Sequence, residues 1–150
     1  MISSDIIKKV FEEIIPFNTY LGIKVVLVEE NYARLVIPFR NELIGDIRRP
    51  ALHGGVISAL LDSAGGAAAM TTLMQPEDRL STIDIRVDYL LPGDPRDLVA
   101  EGKVIRRGNR IVVTEMVAFH ENPHKRVADG KAVYNVRSLE NGNSGGLDSR

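Results

Sequence analysis

Residues 51–70 read ALHGGVISALLDSAGGAAAM, and a single carboxylate, Asp62, stands in this run of small and apolar side chains. Such a stretch needs a sheet to wrap it, and a charge within it needs compensation, because burying an unpartnered carboxylate is costly. The periodicity predicts a helix over 54–74, about 30 Å long at 1.5 Å per residue. With Asp62 at the origin of a helical wheel, Gly55, Ser58, Ala59, Gly65, Gly66 and Ala69 fall within about 60° of it. Val56, Ile57, Leu60, Ala64, Ala67 and Ala68 take the opposite side. One side is therefore apolar, and the other is a stripe of tiny residues with a carboxylate in its middle. Glycine inside a helix costs roughly 0.5–1 kcal/mol relative to alanine, so the stripe implies close approach by another backbone or a ligand. On spacing alone it also fits a helix–helix or dimer contact in which Asp62 pairs with an arginine.

The rest of the chain supplies the sheet. MISSDIIKKVFEEII predicts a short amphipathic helix, capped by Ser4 or Asp5 and ended by Pro16. Residues 22–39 read as two strands joined at Glu29-Glu30-Asn31, and 40–51 as a long loop with neither period. STIDIRVDYLL (81–91) alternates, with Ile83, Ile85, Val87 and Tyr89 on one face. LVAEGKVIRR, RIVVTEMVAFHE and RVADGKAVYNV follow, separated by GN and NPHK turns. Strands on both sides of one long helix predict an α+β domain with an antiparallel sheet over residues 1–138. The polar, glycine-rich end of the chain (139–150) reads as a disordered tail.

Composition removes several function classes. The chain has 150 residues, a net charge of −1 and no cysteine. There is no basic field for nucleic acid, and no thiolate for a disulfide, a metal or a nucleophile. Three scattered histidines give no metal-ligand spacing, and His120 and His124 read as solvent-exposed. No apolar run reaches the ~20 residues of a membrane span, and the N-terminus lacks a secretory pattern. A cytoplasmic protein is the expectation.

HGG opens the long helix, where backbone N–H groups lack intrahelical acceptors and carry the positive end of the dipole. An N-terminus at Gly54, Gly55 and Val56 can polarise a carbonyl and hold a developing oxyanion. A lone histidine there also serves as a simple cap. A carbonyl binder nine positions before a carboxylate suits acyl transfer.

LHGGVISALLDSAGG, with the later STIDIRVDYLLPG, resembles the signature of hotdog-fold acyl-CoA thioesterases of the phenylacetyl-CoA thioesterase type. The resemblance covers roughly residues 15–138. It implies an antiparallel sheet wrapped around one long central helix, and hydrolysis of an acyl- or aryl-CoA to free acid and CoA without a cofactor. By that resemblance Asp62 attacks the thioester or activates water, and the Gly55 N–H, beside Gly54, binds the carbonyl. His53 orients that oxygen or its loop, and Thr82 positions the water. It further implies a homodimer, or a dimer of dimers, with glycine and aspartate of one site coming from different subunits.

Two departures stand out. The family's asparagine six positions before the histidine is replaced by Ile47, which leaves Asn41 as the nearest substitute. Thr82 shares its strand parity with Asp84, Arg86 and Asp88, not with the apolar face. For the CoA phosphates, Lys103, Arg106, Arg107 and Arg110 gather around the GN turn, either as a clamp or as ordinary exposed charges. A hotdog hydratase or dehydratase, and a non-catalytic acyl-CoA-binding module, are the rival readings.

Overall fold

A proline sets the shape of the chain's beginning. A computed structural model describes residues 1–138, and the tail expected over 139–150 lies outside them. Helix α1 spans Ser4–Lys9 and is capped by Ser3, whose hydroxyl accepts the Ile6 N–H, and not by Ser4 or Asp5. A π-helical turn, Val10–Ile14, follows and closes when the Ile15 N–H reaches the Val10 carbonyl. Pro16 does not end the helical segment. It opens a second helix, α2 (Pro16–Leu21), at a first-turn position where its missing N–H costs nothing. The proline forces Ile15 into extended geometry (ψ 110°), so the two helices meet at a bend. Gly22, at φ 75°, closes α2 in the left-handed region.

Strands β1 (Lys24–Glu29) and β2 (Tyr32–Ile37) form the expected hairpin, with Asn31 at φ 62° in its turn. After the long helix α3 (Gly54–Met70) come β5 (Arg79–Tyr89), β6 (Leu98–Arg107), β7 (Ile111–Phe119) and β8 (Ala128–Arg137). The main sheet has six antiparallel strands in the order β1-β2-β6-β7-β8-β5, which leaves β5 as an edge. Helix α3 lies against the inner face, where Leu35, Leu98, Ala100, Val112, Met116, Ala132 and Tyr134 are buried. Gly102 lets β6 approach closely, since a Cβ there would collide with the Ala64 carbonyl. The α+β architecture expected from the sequence is therefore present. No helix among the described residues is long and apolar enough to cross a membrane.

Two local features were not expected. The 40–51 segment carries a 3₁₀ turn, Asn41–Leu43, and a small ribbon of β3 (Ile44–Asp46) and β4 (Ala51–Leu52). This ribbon braces the start of α3: the Leu43 carbonyl accepts the His53 N–H at 2.8 Å, and Gly45 packs on the His53 backbone. In β5 the register slips between Thr82 and Asp84, so Ile83 is a bulged residue with no partner on β8. The slip reverses side-chain parity. Thr82 lies opposite buried Tyr134, whereas Ile83 is 57% exposed and not on the apolar face with Ile85.

Candidate active site

The first turn of α3 is more committed than its sequence suggests. His53 is the N-cap, and its Nδ1 accepts the Gly55 N–H at 2.8 Å. An accepting nitrogen carries no proton, so the neutral ring holds its proton on Nε2. The Val56 and Ile57 N–H groups both reach the His53 carbonyl, at 2.9 and 3.3 Å. Only the Gly54 N–H lacks an acceptor among the described residues. The Gly55 donor expected to receive a carbonyl is thus already engaged. Tyr89, the tyrosine of the β5 motif, donates to the Gly54 carbonyl at 3.0 Å and bonds the Ser58 hydroxyl. A cavity of ≈290 Å³ opens beside this start, lined by Leu52, Gly54, Ile57, Tyr89 and Leu91 among others.

Asp62 sits two turns further along, half-buried, and it does not pair with an arginine. Its Oδ1 accepts the Thr82 hydroxyl at 3.0 Å and lies 3.1 Å from the Tyr134 hydroxyl. The Tyr134 hydroxyl also reaches the Asp62 backbone carbonyl at 2.9 Å. Asp62 Oδ2 has no partner among the described residues and faces no competing donor. Burial, then the Asp62 charge and the hydrogen bond to it, push the Tyr134 hydroxyl far above the ordinary tyrosine range. It therefore stays a proton donor to Asp62. Thr82 reaches this position only because of the bulge at Ile83, which turns it from the solvent face to the helix.

A second cavity of ≈290 Å³ surrounds Asp62, Thr82 and Tyr134. Its remaining walls are Phe11, Ile15, Phe17 and Asn18 from the N-terminal helices, Ala59, Ser63 and Gly66 from α3, and Leu80. Asn18 is 4% exposed; its Oδ1 accepts the Ser63 hydroxyl at 3.3 Å, and its Nδ2 has no acceptor. Leaving a buried donor unsatisfied costs about 1–3 kcal/mol. The two cavities share no lining residue.

Other predicted positions disperse. Asn41 is exposed on its 3₁₀ turn and Ile47 is 88% exposed, so neither lines either cavity. Lys103 lies on the outer face of the sheet, opposite Tyr32 and Glu115. The Arg107 guanidinium donates to the Gly108 and Asn109 carbonyls of its own turn. Arg106 and Arg110 are exposed beside it. His120 is also not a free surface histidine: its Nε2 accepts the Asp94 N–H at 2.9 Å and its Nδ1 contacts the Asp97 carbonyl at 2.7 Å, pinning the loop before β6.

Sequence reasoning missed Tyr134, Asn18 and the N-terminal wall. Tyr134 reads as one more alternating strand residue, and no local pattern reports that it crosses under α3. Gly65 was the available signal. A Cβ there would stand 2.5 Å from the Tyr134 hydroxyl and 2.8 Å from that of Thr114, so the glycine makes room for this chain's own sheet.

The thioesterase superfamily model matches residues 50–127, which contain HGG, Asp62 and Thr82. The medium/long-chain acyl-CoA thioesterase YigI of Escherichia coli is 33% identical over 133 residues, covering 81% of this chain and 85% of the relative. A solved thioesterase-superfamily protein of Shewanella oneidensis is 34% identical, with TM-score 0.77 over 87% of this chain and 93% of that one. A Haemophilus influenzae thioesterase at 20% identity has the same fold, with TM-score 0.79 over 93% of each chain. With a six-stranded antiparallel sheet around one central helix, and this identity over most of its length, the chain belongs to the thioesterase superfamily and has its hotdog fold.

Proposed function

We propose that this protein is an acyl-CoA thioesterase whose active site is shared between two copies of the chain. The observation that carries the sharing is the separation of the two cavities, one at Gly54 and one at Asp62. Eight helical residues put these positions about 12 Å apart along the axis. The Gly54 N–H and the Asp62 carboxylate of one chain open into cavities that share no lining residue, which supports a site completed by a second chain. The free edge of β5 is where a second copy would join, since an unpaired edge is a ready surface for a second strand.

In this reading the partner subunit's Gly54 N–H receives the thioester oxygen, with the helix dipole behind it. Thr82 and Tyr134 hold one oxygen of the Asp62 carboxylate, which aims Oδ2 at a water between it and the Thr82 hydroxyl. As the water oxygen bonds to the carbonyl carbon, its proton passes to Asp62. The tetrahedral oxyanion is held at the helix start. Its collapse breaks the carbon–sulfur bond, and the proton moves on to the departing CoA sulfur. A direct attack by Oδ2 would instead form a mixed anhydride, and heavy oxygen appearing in Asp62 after single turnover in labelled water would identify that route, since water then opens the anhydride at the aspartyl carbon. His53 acts by fixing the first turn, since its ring is the cap on Gly55. The YigI relative is named for medium- and long-chain acyl-CoA, which supports that substrate class over an aryl-CoA.

The test uses mixed dimers and thiol release from an acyl-CoA. Gly54→Pro removes the open N–H at a position where proline suits a first turn, behind a residue already extended (His53 ψ 133°). Homodimers of Gly54→Pro or of Asp62→Asn are expected to be nearly inactive. Verified mixed dimers collect both defects in one site and regain about half the activity of the parent. Mixed dimers that stay inactive would refute the shared site. An unaltered protein that releases no thiol from any acyl-CoA would refute the activity itself.

A further inference from the structure

We infer that the N-terminal helical segment forms the acyl-binding wall of the Asp62 cavity and limits the length of the chain it accepts. The inference rests on the thioesterase reading and adds the residues that select among its substrates. Phe11 of the π-helical turn, Ile15 at the bend and Phe17 of α2 form one wall; Ala59, Gly66 and Leu80 form the other. All six are apolar or without a side chain, and the polar atoms of Asp62, Thr82 and Tyr134 lie in the same cavity. That pairing of a reactive carboxylate with an apolar enclosure is what a thioester with a hydrocarbon tail requires. The unpartnered Nδ2 of buried Asn18 is a second sign of a ligand site, because an entering thioester brings an oxygen acceptor.

Straight acyl chains should gain with each added carbon until they fill the space between the two walls, and then stop gaining. Transfer of one methylene from water into an apolar cavity corresponds to about a fourfold gain per carbon in kcat/KM. Gly66 sets the depth. A Cβ there would lie 3.6 Å from Phe11 Cζ and 3.7 Å from Tyr134 Cε1, in ordinary contact, so a longer side chain extends into the space the acyl chain would use.

Thiol release is measured over a series from butyryl- to hexadecanoyl-CoA for the parent protein, Gly66→Leu and Ile15→Ala. Gly66→Leu is expected to lower the decanoyl-to-butyryl ratio of kcat/KM about two-hundredfold, its side chain filling the room of about four carbons. Ile15→Ala, at a half-buried position, is expected to move the optimum two or three carbons longer. A folded Gly66→Leu with the parent's ratio would overturn the inference. Should Gly66→Leu fail to fold, an unmoved optimum in Ile15→Ala overturns it equally. A parent that hydrolyses all chain lengths alike removes the acyl wall but leaves the thioesterase reading standing. A parent that hydrolyses none removes both.

Discussion

The two ends of α3 use the same residue type for opposite purposes. At its start, Gly54 stands beside an open cavity, and its value lies in a backbone donor without an acceptor among the described residues, while Gly55 gives its N–H to His53. Toward its end, Gly65 and Gly66 are buried, and their value lies in the space they leave for Tyr134, Thr114 and Phe11. On the helical wheel these glycines form one continuous stripe. In three dimensions the stripe divides at Asp62: the front faces an open cavity, Gly66 lines the Asp62 cavity, and Gly65 at the back is sealed by this chain's own sheet. A small residue on a helix therefore reports close approach without saying which partner approaches.

The division predicts that changes at the seam and at the front act on turnover, and changes at the back act on stability. The largest effect belongs to the seam. Asp62→Asn keeps size and shape but removes the base, and is expected to lower kcat by about 10³–10⁴ with little change in melting temperature, measured by thiol release and calorimetry. At the back, Gly65→Ala forces a methyl against two buried hydroxyls. It is expected to destabilise the fold by about 1–3 kcal/mol, partly offset by the better helix propensity of alanine, as read by urea unfolding. If stability is unchanged, the back half is not the tight seal described. At the front, His53→Ala removes the cap on Gly55 and is expected to cost about 1 kcal/mol. Its turnover should fall by more than that stability loss explains, because the first turn is no longer fixed.

The smallest effect concerns ionisation. Burial and the neighbouring Asp62 charge hold the Tyr134 hydroxyl above the ordinary tyrosine range, so its folded form resists losing the proton. Stability from this group is fully present below about pH 10 and is lost as pH rises past that value toward the folded one. In an alkaline titration followed by phenolate absorbance, Tyr134 is expected to ionise only as the protein unfolds. A Tyr134 that titrates in the ordinary tyrosine range while the protein stays folded would mean the seal beneath Asp62 is open.

Much of this was legible in the chain, and the exceptions have physical causes. The hairpin at 29–31, the long helix and the four following strands carry strong periodicity, so their order was readable. Asp62 was legible because it contradicts its surroundings. Thr82 was legible only through the resemblance; alternation put it on the solvent face, because alternation assumes an unbroken register and one bulged residue, Ile83, inverts it. Pro16 looked like a stop because proline ends helices, yet the same missing N–H suits a helix start. The donor at Gly55 looked open because nothing local says that His53 folds back onto it. Tyr134 was invisible because its partner is 72 positions away. The basic cluster is contiguous in sequence, and the register shift between Val104 and Arg106 leaves Lys103 opposite Glu115 and Arg106 opposite Val113, an arrangement that alternation alone does not give.

The placement of the N-terminal helices has a consequence for how such an enzyme can diversify. The reactive groups lie at positions 62, 82 and 134, whereas the wall beside them comes from positions 11, 15 and 17. Those wall positions precede the span that matches the superfamily, which begins at residue 50. Mutation or recombination in the first two dozen codons can then change what is hydrolysed and leave the hydrolytic groups themselves untouched. One wall of the acyl cavity is thus inherited on a stretch of the gene separate from the hydrolytic groups, while the other wall travels with them.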